Sequence, residues 1–226
     1  MNAVRAACGF TLVELIIVSA LLVLLGGGFL TMFLTGQSSY LSADASIQIQ
    51  QEARKALDVV VRELREAGAA TGSVVTRTGP LPNGSYQLNF QIALGYNMAT
   101  YPGAPPGGCT TPASICWGGN TISEWVHYVV IGAAGAGVNR QLVRCVNGDA
   151  ATAIASAAGC RVLANNVNLP TEPAATDTFQ LVDANANGTL DTIVVNLQIK
   201  TESGMLPGGS QRTQILTSRI RMRNAT

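Results

Sequence analysis

Histidine occurs once in these 226 residues, and aromatic side chains make up only 5% of them. Charge is scarce too: 12% of residues carry it, 14 Lys and Arg against 13 Asp and Glu. Removing residues 1–9, whose single charge is Arg5, brings the formal net charge from +1 to zero. So balanced a chain has no broad basic face with which to displace phosphate counterions, which argues against nucleic acid as a partner. No G-x-x-x-x-G-K-[ST] loop is present to cradle nucleotide phosphates. No G-x-S-x-G elbow accompanies His127 either, so that histidine, set in the apolar stretch "SEWVHYVV", reads as structural. With no catalytic cluster visible, the chain reads as a non-enzyme that requires no cofactor. C-x-x-C pairs are absent as well, and no histidine flanks the cysteines, which removes the usual zinc spacing.

What the chain does have is concentrated at its start. "GFTLVELIIVSALLVLLGGGFLTMFL" occupies residues 9–34, and from Phe10 to Leu34 Glu14 is the sole charge. That stretch exceeds the roughly 20 residues a helix needs to cross the hydrocarbon core. A secretory signal has a shorter apolar region followed by a small-residue cleavage site. Here the run leads instead into a helix-forming segment, and no apolar stretch precedes Cys8 to make a lipobox. The span is therefore expected to stay in the mature protein. Its carboxylate needs explaining, because an acidic group at the bilayer centre costs roughly 2.5–3.5 kcal/mol.

After the span, Ala53, Leu57, Val60, Val61 and Leu64 recur at three- and four-residue steps as one apolar stripe. Asp58 with Arg62, and Arg62 with Glu66, are charge pairs on the other face. Gly68 is a plausible stop signal. A helix from Phe10 to Ala67 would be roughly 85 Å long. Beyond residue 84 the pattern turns to strands. "SYQLNFQIAL" puts Tyr86, Leu88, Phe90, Ile92 and Leu94 on one face, and "ISEWVHYVVIG" and "RQLVRCV" follow. "TFQLVDANANGTLDTIVVNLQIK" reads as a hairpin turning at Asn187-Gly188, and "RTQILTSRIRMRN" as a last strand. The fold class is α+β, one long helix on an antiparallel sheet.

Cys109, Cys116, Cys145 and Cys160 fit two disulfides in an oxidising compartment, with sequence-local pairing the simplest of the three connectivities. Residues 96–120, rich in Gly and Pro and holding Tyr96, Tyr101 and Trp117, read as a stapled surface loop and a contact region. Asp183, Asn185, Asn187 and Asp191, with the Thr189 carbonyl, have the alternate-oxygen spacing of a calcium loop, although Val194 stands where the usual bidentate Glu would be. A polar hairpin turn uses the same residue types. Arg219, Arg221 and Arg223 alternate on one face of the last strand, as on a solvated edge.

"G-FTLVE", at residues 9–14, resembles the processing site of type IV prepilins and of the related type II secretion pseudopilins. The resemblance implies a leader at 1–9 and cleavage by a prepilin peptidase after Gly9. It also implies N-methylation of Phe10, and places Glu14 where the family's assembly carboxylate meets the N-terminal amine of a neighbouring subunit. A membrane and filament-core helix at 10–34, an amphipathic continuation at 35–69 and a β-rich head at 70–226 would follow, the lollipop of a type IV pilin. Partners implied are other pilin subunits through their N-terminal helices, the inner-membrane assembly platform, and lipid before assembly. The location implied is the bacterial inner membrane with the head in the periplasm, then a filament or pseudopilus. The large stapled head fits a minor subunit, and the ending "RIRMRN" is loosely similar to PilW-like minor pilins. A membrane-anchored adhesin or binding module is the reading from another class. The leader holds one basic residue where family leaders carry several. In place of a helix proline there are three glycines at 26–28, which weaken a helix by about 1 kcal/mol each and read either as a point where the helix stretches or as close-packing positions.

Overall fold

A computed structural model of the chain describes residues 11–68, 75–81, 83–97, 114–132, 140–149, 152–168, 178–182, 192–201 and 213–222. It divides into two compact units, Met1–Asp44 and Ala45–Thr226. One helix, α1 (Leu12–Arg65), contributes to both.

In the first unit, described from Thr11 onward, α1 has every side chain from Leu12 to Gln37 exposed. Its start is a capping box by sequence, T-x-x-E at residues 11–14, and the Glu14 N–H lies 3.3 Å from Thr11 Oγ1 as donor to acceptor. The three glycines stay helical, and a Cβ on any of them would meet nothing within 4 Å.

In the second unit, α1 contains neither Gly nor Pro and buries Ala45, Ile49, Ala53, Ala56, Val60 and Leu64. These positions form one helical face, with Leu57 and Val61 partly covered at its margin. The three alanines let the helix backbone approach the strands closely. The helix ends at Arg65, where Glu66 N–H bonds back to Glu63 C=O at 3.1 Å. Gly68 is therefore not the stop. It lies in β1 (Ala67–Gly68), where a Cβ would overlap the Trp117 ring, so glycine is needed there for close approach.

The strands form two antiparallel sheets. In the first, β3 (Gln87–Asn97) bonds to β1, to β2 (Val75–Thr78), to β4 (Ser114–Gly118) and to β5 (Trp125–Ile131). The sheet then continues through β6 (Gln141–Asn147) to β7 (Arg161–Ala164). In the second, β10 (Thr192–Lys200) bonds to β8 (Val167–Asn168), β9 (Phe179–Val182) and β11 (Thr213–Arg221). Val182 faces Thr192, so β9 and β10 are the expected hairpin, although its turn lies outside the described residues.

The two sheets share a chain segment. Residues 161–168 supply β7 to one and β8 to the other, bending at Asn166, whose φ is 52°. The bend is tied to α1, because Glu52 Oε1 accepts the backbone N–H of Asn165 and its Nδ2 at 3.1 Å. α1, Leu88, Phe90 and Tyr128 from the first sheet, and Phe179, Ile193, Val195, Leu197, Ile199 and Ile220 from the second, make one apolar core. Burial of each such side chain is worth about 1.5–3 kcal/mol.

Candidate functional site

Two features stand out, one on α1 and one behind the first sheet. On α1, large apolar side chains from Leu12 to Leu34 are exposed, with Leu24 76% and Phe29 77% accessible. This helix is long and apolar enough to cross a membrane, with a mean hydropathy of 2.4 in its most apolar window. Glu14 sits in its first turn, where a carboxylate at the third helical position both suits the capping box and favours the positive helix end. The capping sequence gives a local role to a residue for which the prepilin resemblance implies a partner in a neighbouring subunit. Gly9 and Phe10 lie outside the described residues.

Cys145 and Cys160 are bonded, with their Cα atoms 4.4 Å apart, and the pairing is the sequence-local one. Cys116 is also disulfide-bonded, while Cys109 lies outside the described residues. So do Asp183, Asn185, Asn187, Thr189 and Asp191. Among the described residues no group of three His, Cys, Asp or Glu side chains is placed to hold a metal. Arg219 and Arg221 are exposed on β11, at the edge of the second sheet, and Arg223 falls outside the described residues. Trp117 is not part of an exposed loop patch: it is a β4 residue, half-buried against Gly68, because the flat ring fills the space the glycine leaves.

Two clusters were not visible in the sequence. The first joins α1 to the first sheet. Arg144 Nε donates to Glu63 Oε2 at 2.8 Å and to Oε1 at 3.1 Å, and the Tyr128 hydroxyl donates to Glu63 Oε2 at 2.7 Å. Burial, then the Glu63 carboxylate, push the Tyr128 hydroxyl well above the usual tyrosine range. Glu63 thus makes a largely buried ion pair across to the first sheet, apart from the Asp58, Arg62 and Glu66 series. Its signal was faint: a carboxylate wedged between Val60 and Leu64 at the margin of the apolar stripe.

The second cluster lies on the opposite face of the first sheet. Gln87, Asn89 and His127 are each fully buried there. Alternation along β3 marks Gln87 and Asn89 as solvent-facing, but Gln87 bonds to the backbone of Thr152 and Ile154, and Asn89 to Thr76, Thr78 and His127. Val129, Ile131, Val143 and Cys145 form a small core there, packed by Leu81, Ile154, Ala157 and Cys160. His127 Nδ1 is 2.8 Å from Asn89 Oδ1, and its Nε2 is 2.7 Å from Asn147 Oδ1. Burial holds the imidazole pKa below the ordinary histidine range, opposed by the Asn147 bond and the Asp149 charge. His127 is fully buried between the Asn89 and Asn147 side-chain amides.

No family model, curated protein or solved structure matches this chain.

Proposed function

We propose that the chain is a non-enzymatic structural subunit of a type IV pilus or related filament. It is made as an inner-membrane prepilin with its head in the periplasm, cut after Gly9 and methylated at Phe10. The observation that carries this reading is the continuous exposed apolar surface of α1, directly after G-FTLVE. Such a surface is stable in lipid or among like helices but not in water. Within a helix bundle, Glu14 would meet the N-terminal amine of a neighbour, since an unpaired charge there is costly and pairing relieves both. Subunits would associate through these helices, with a prepilin peptidase and an assembly platform as transient partners. A stapled head of this size suits a minor, priming or tip subunit better than a bulk one. A type II secretion pseudopilin would share every one of these features.

The test is mass spectrometry of sheared extracellular filaments and of membranes, following the N-terminal peptide. A peptide beginning at methylated Phe10 in filaments supports the pilus subunit, and its ratio to other subunits separates minor from major. The same peptide confined to membranes favours a pseudopilus. Finding only the form that begins at Met1 would overturn the reading.

A further inference from the structure

The hydrogen-bond directions around His127 follow from fixed backbone groups. Ile154 N–H donates to Gln87 Oε1 at 2.8 Å, and Gln87 Nε2 donates to Thr152 C=O at 2.8 Å. Gln87 is thereby oriented, and its second amide hydrogen goes to Asn89 Oδ1 at 2.6 Å. Asn89 Nδ2 points the other way, to Thr78 Oγ1 at 2.9 Å and Thr76 Oγ1 at 3.3 Å. Asn89 therefore offers an acceptor to His127 Nδ1. Gln87 Nε2 is itself 3.1 Å from Nδ1, but both its hydrogens are committed. On the other side, Asp149 N–H donates to Asn147 Oδ1 at 3.0 Å, so Asn147 offers an acceptor to Nε2. Both ring nitrogens face oxygens, which is the arrangement of an imidazolium.

We infer that His127 is a proton-operated latch on the Asn147–Asp149 turn that begins the segment covering the first sheet. With the ring doubly protonated, Nε2–H holds Asn147 Oδ1, and Asn147 in turn holds the Asp149 N–H. When Nε2 gives its proton to water, a lone pair faces the Asn147 oxygen. Asn147 must then rotate to present Nδ2, and its hold on Asp149 ends. Nδ1 keeps its hydrogen, because Asn89 is locked through Gln87 to the backbone of residues 152 and 154, whereas half-buried Asn147 is fixed by one N–H.

Among the described residues, few charged groups lie around the ring. From the turn it faces Asp149, whose Oδ2 also accepts the Thr152 hydroxyl at 3.3 Å. β3 presents the amides Gln87 and Asn89, and β6 presents Asn147 and the disulfide-bonded Cys145. Glu124, ahead of β5, accepts the N–H of Thr121 and then that of Asn120, which hold its carboxyl below the usual range. Arg144 belongs to the opposite face, on Glu63.

The test uses the full chain in detergent micelles, with isotope-labelled histidine, the single one in the chain. A second sample is labelled across Gly148-Asp149, the sole Gly-Asp pair, and both are titrated by NMR from about pH 4 to about pH 9. The expected result is one step with a midpoint below about 6.5. Below it both ring nitrogens carry hydrogen, and above it Nδ1 alone does. The Asp149 amide should move with the same midpoint, and Asn147→Ala should uncouple it from the ring. A ring that titrates while Asp149 stays still overturns the latch. So does a ring that never changes state, one that loses its Nδ1 proton instead, or a shift shared by amides of β10, which would be unfolding.

Discussion

Glu63→Ala should be among the most costly truncations on α1. The substitution removes a charged acceptor from the Tyr128 hydroxyl, a bond worth about 1.5–3 kcal/mol. It also strands the Arg144 guanidinium, whose side chain is only 13% accessible. Removing one partner of a fully buried pair costs about 3–5 kcal/mol, and partial exposure reduces that. A combined loss of about 3 kcal/mol is expected, which lowers Tm by roughly 6–12 °C in a unit of this size. Thermal unfolding of the full chain in micelles, followed by tryptophan fluorescence, measures it. The companion Glu63→Leu with Arg144→Met removes both charges and supplies apolar volume, so it should recover most of the loss. A Glu63→Ala shift below about 2 °C, or a double substitution costing the sum of its parts, would refute the reasoning.

Further outcomes follow from the same contacts. Tyr128 has a raised folded pKa, so the stability it contributes is complete below the ordinary tyrosine value of about 10 and falls away as pH rises beyond it. Tyr128→Phe should flatten that alkaline limb in a pH series of Tm, and an unchanged limb counts against it. Gly68→Ala should cost about 1–3 kcal/mol by forcing Trp117 aside. Trp117→Leu in the same chain should restore part of this, read by thermal melts of the two variants. Replacing Cys145 and Cys160 with serine opens a 15-residue separation and should cost about 3 kcal/mol, with earlier proteolysis at residues 152–160. Glu14→Gln separates the two roles of that carboxylate. Glutamine serves a capping box as well as glutamate, so filaments that survive the change leave capping as the explanation, while filaments lost with helix and insertion intact show that the charge acts in assembly.

Local chemistry was enough to write down much of this protein. The apolar stretch from Phe10 to Leu34, with Glu14 its sole charge, specifies a helix suited to lipid, and the three-and-four spacing from Ala53 to Leu64 specifies which face of its continuation is covered. Period-two alternation located the strand around Leu88, a hairpin turn signal at Asn187-Gly188 the strand around Ile193, and spacing alone favoured the Cys145–Cys160 bond. Each of these signals is written within a short, continuous stretch of chain. Only tertiary structure decided the rest. Gly68 reads as a helix stop until Trp117, 49 residues later, is seen to lie on it. Glu63 looks like one of many helix charges until β5 and β6 bring Tyr128 and Arg144 to it. Gln87 and Asn89 alternate like solvent-facing residues, and alternation cannot say whether a face meets water or another segment. A sequence pattern reports that a side chain is polar, whereas the partner that satisfies it is chosen by chain that returns from far away. That is why the membrane-suited helix was legible in the sequence and the His127 cluster was not.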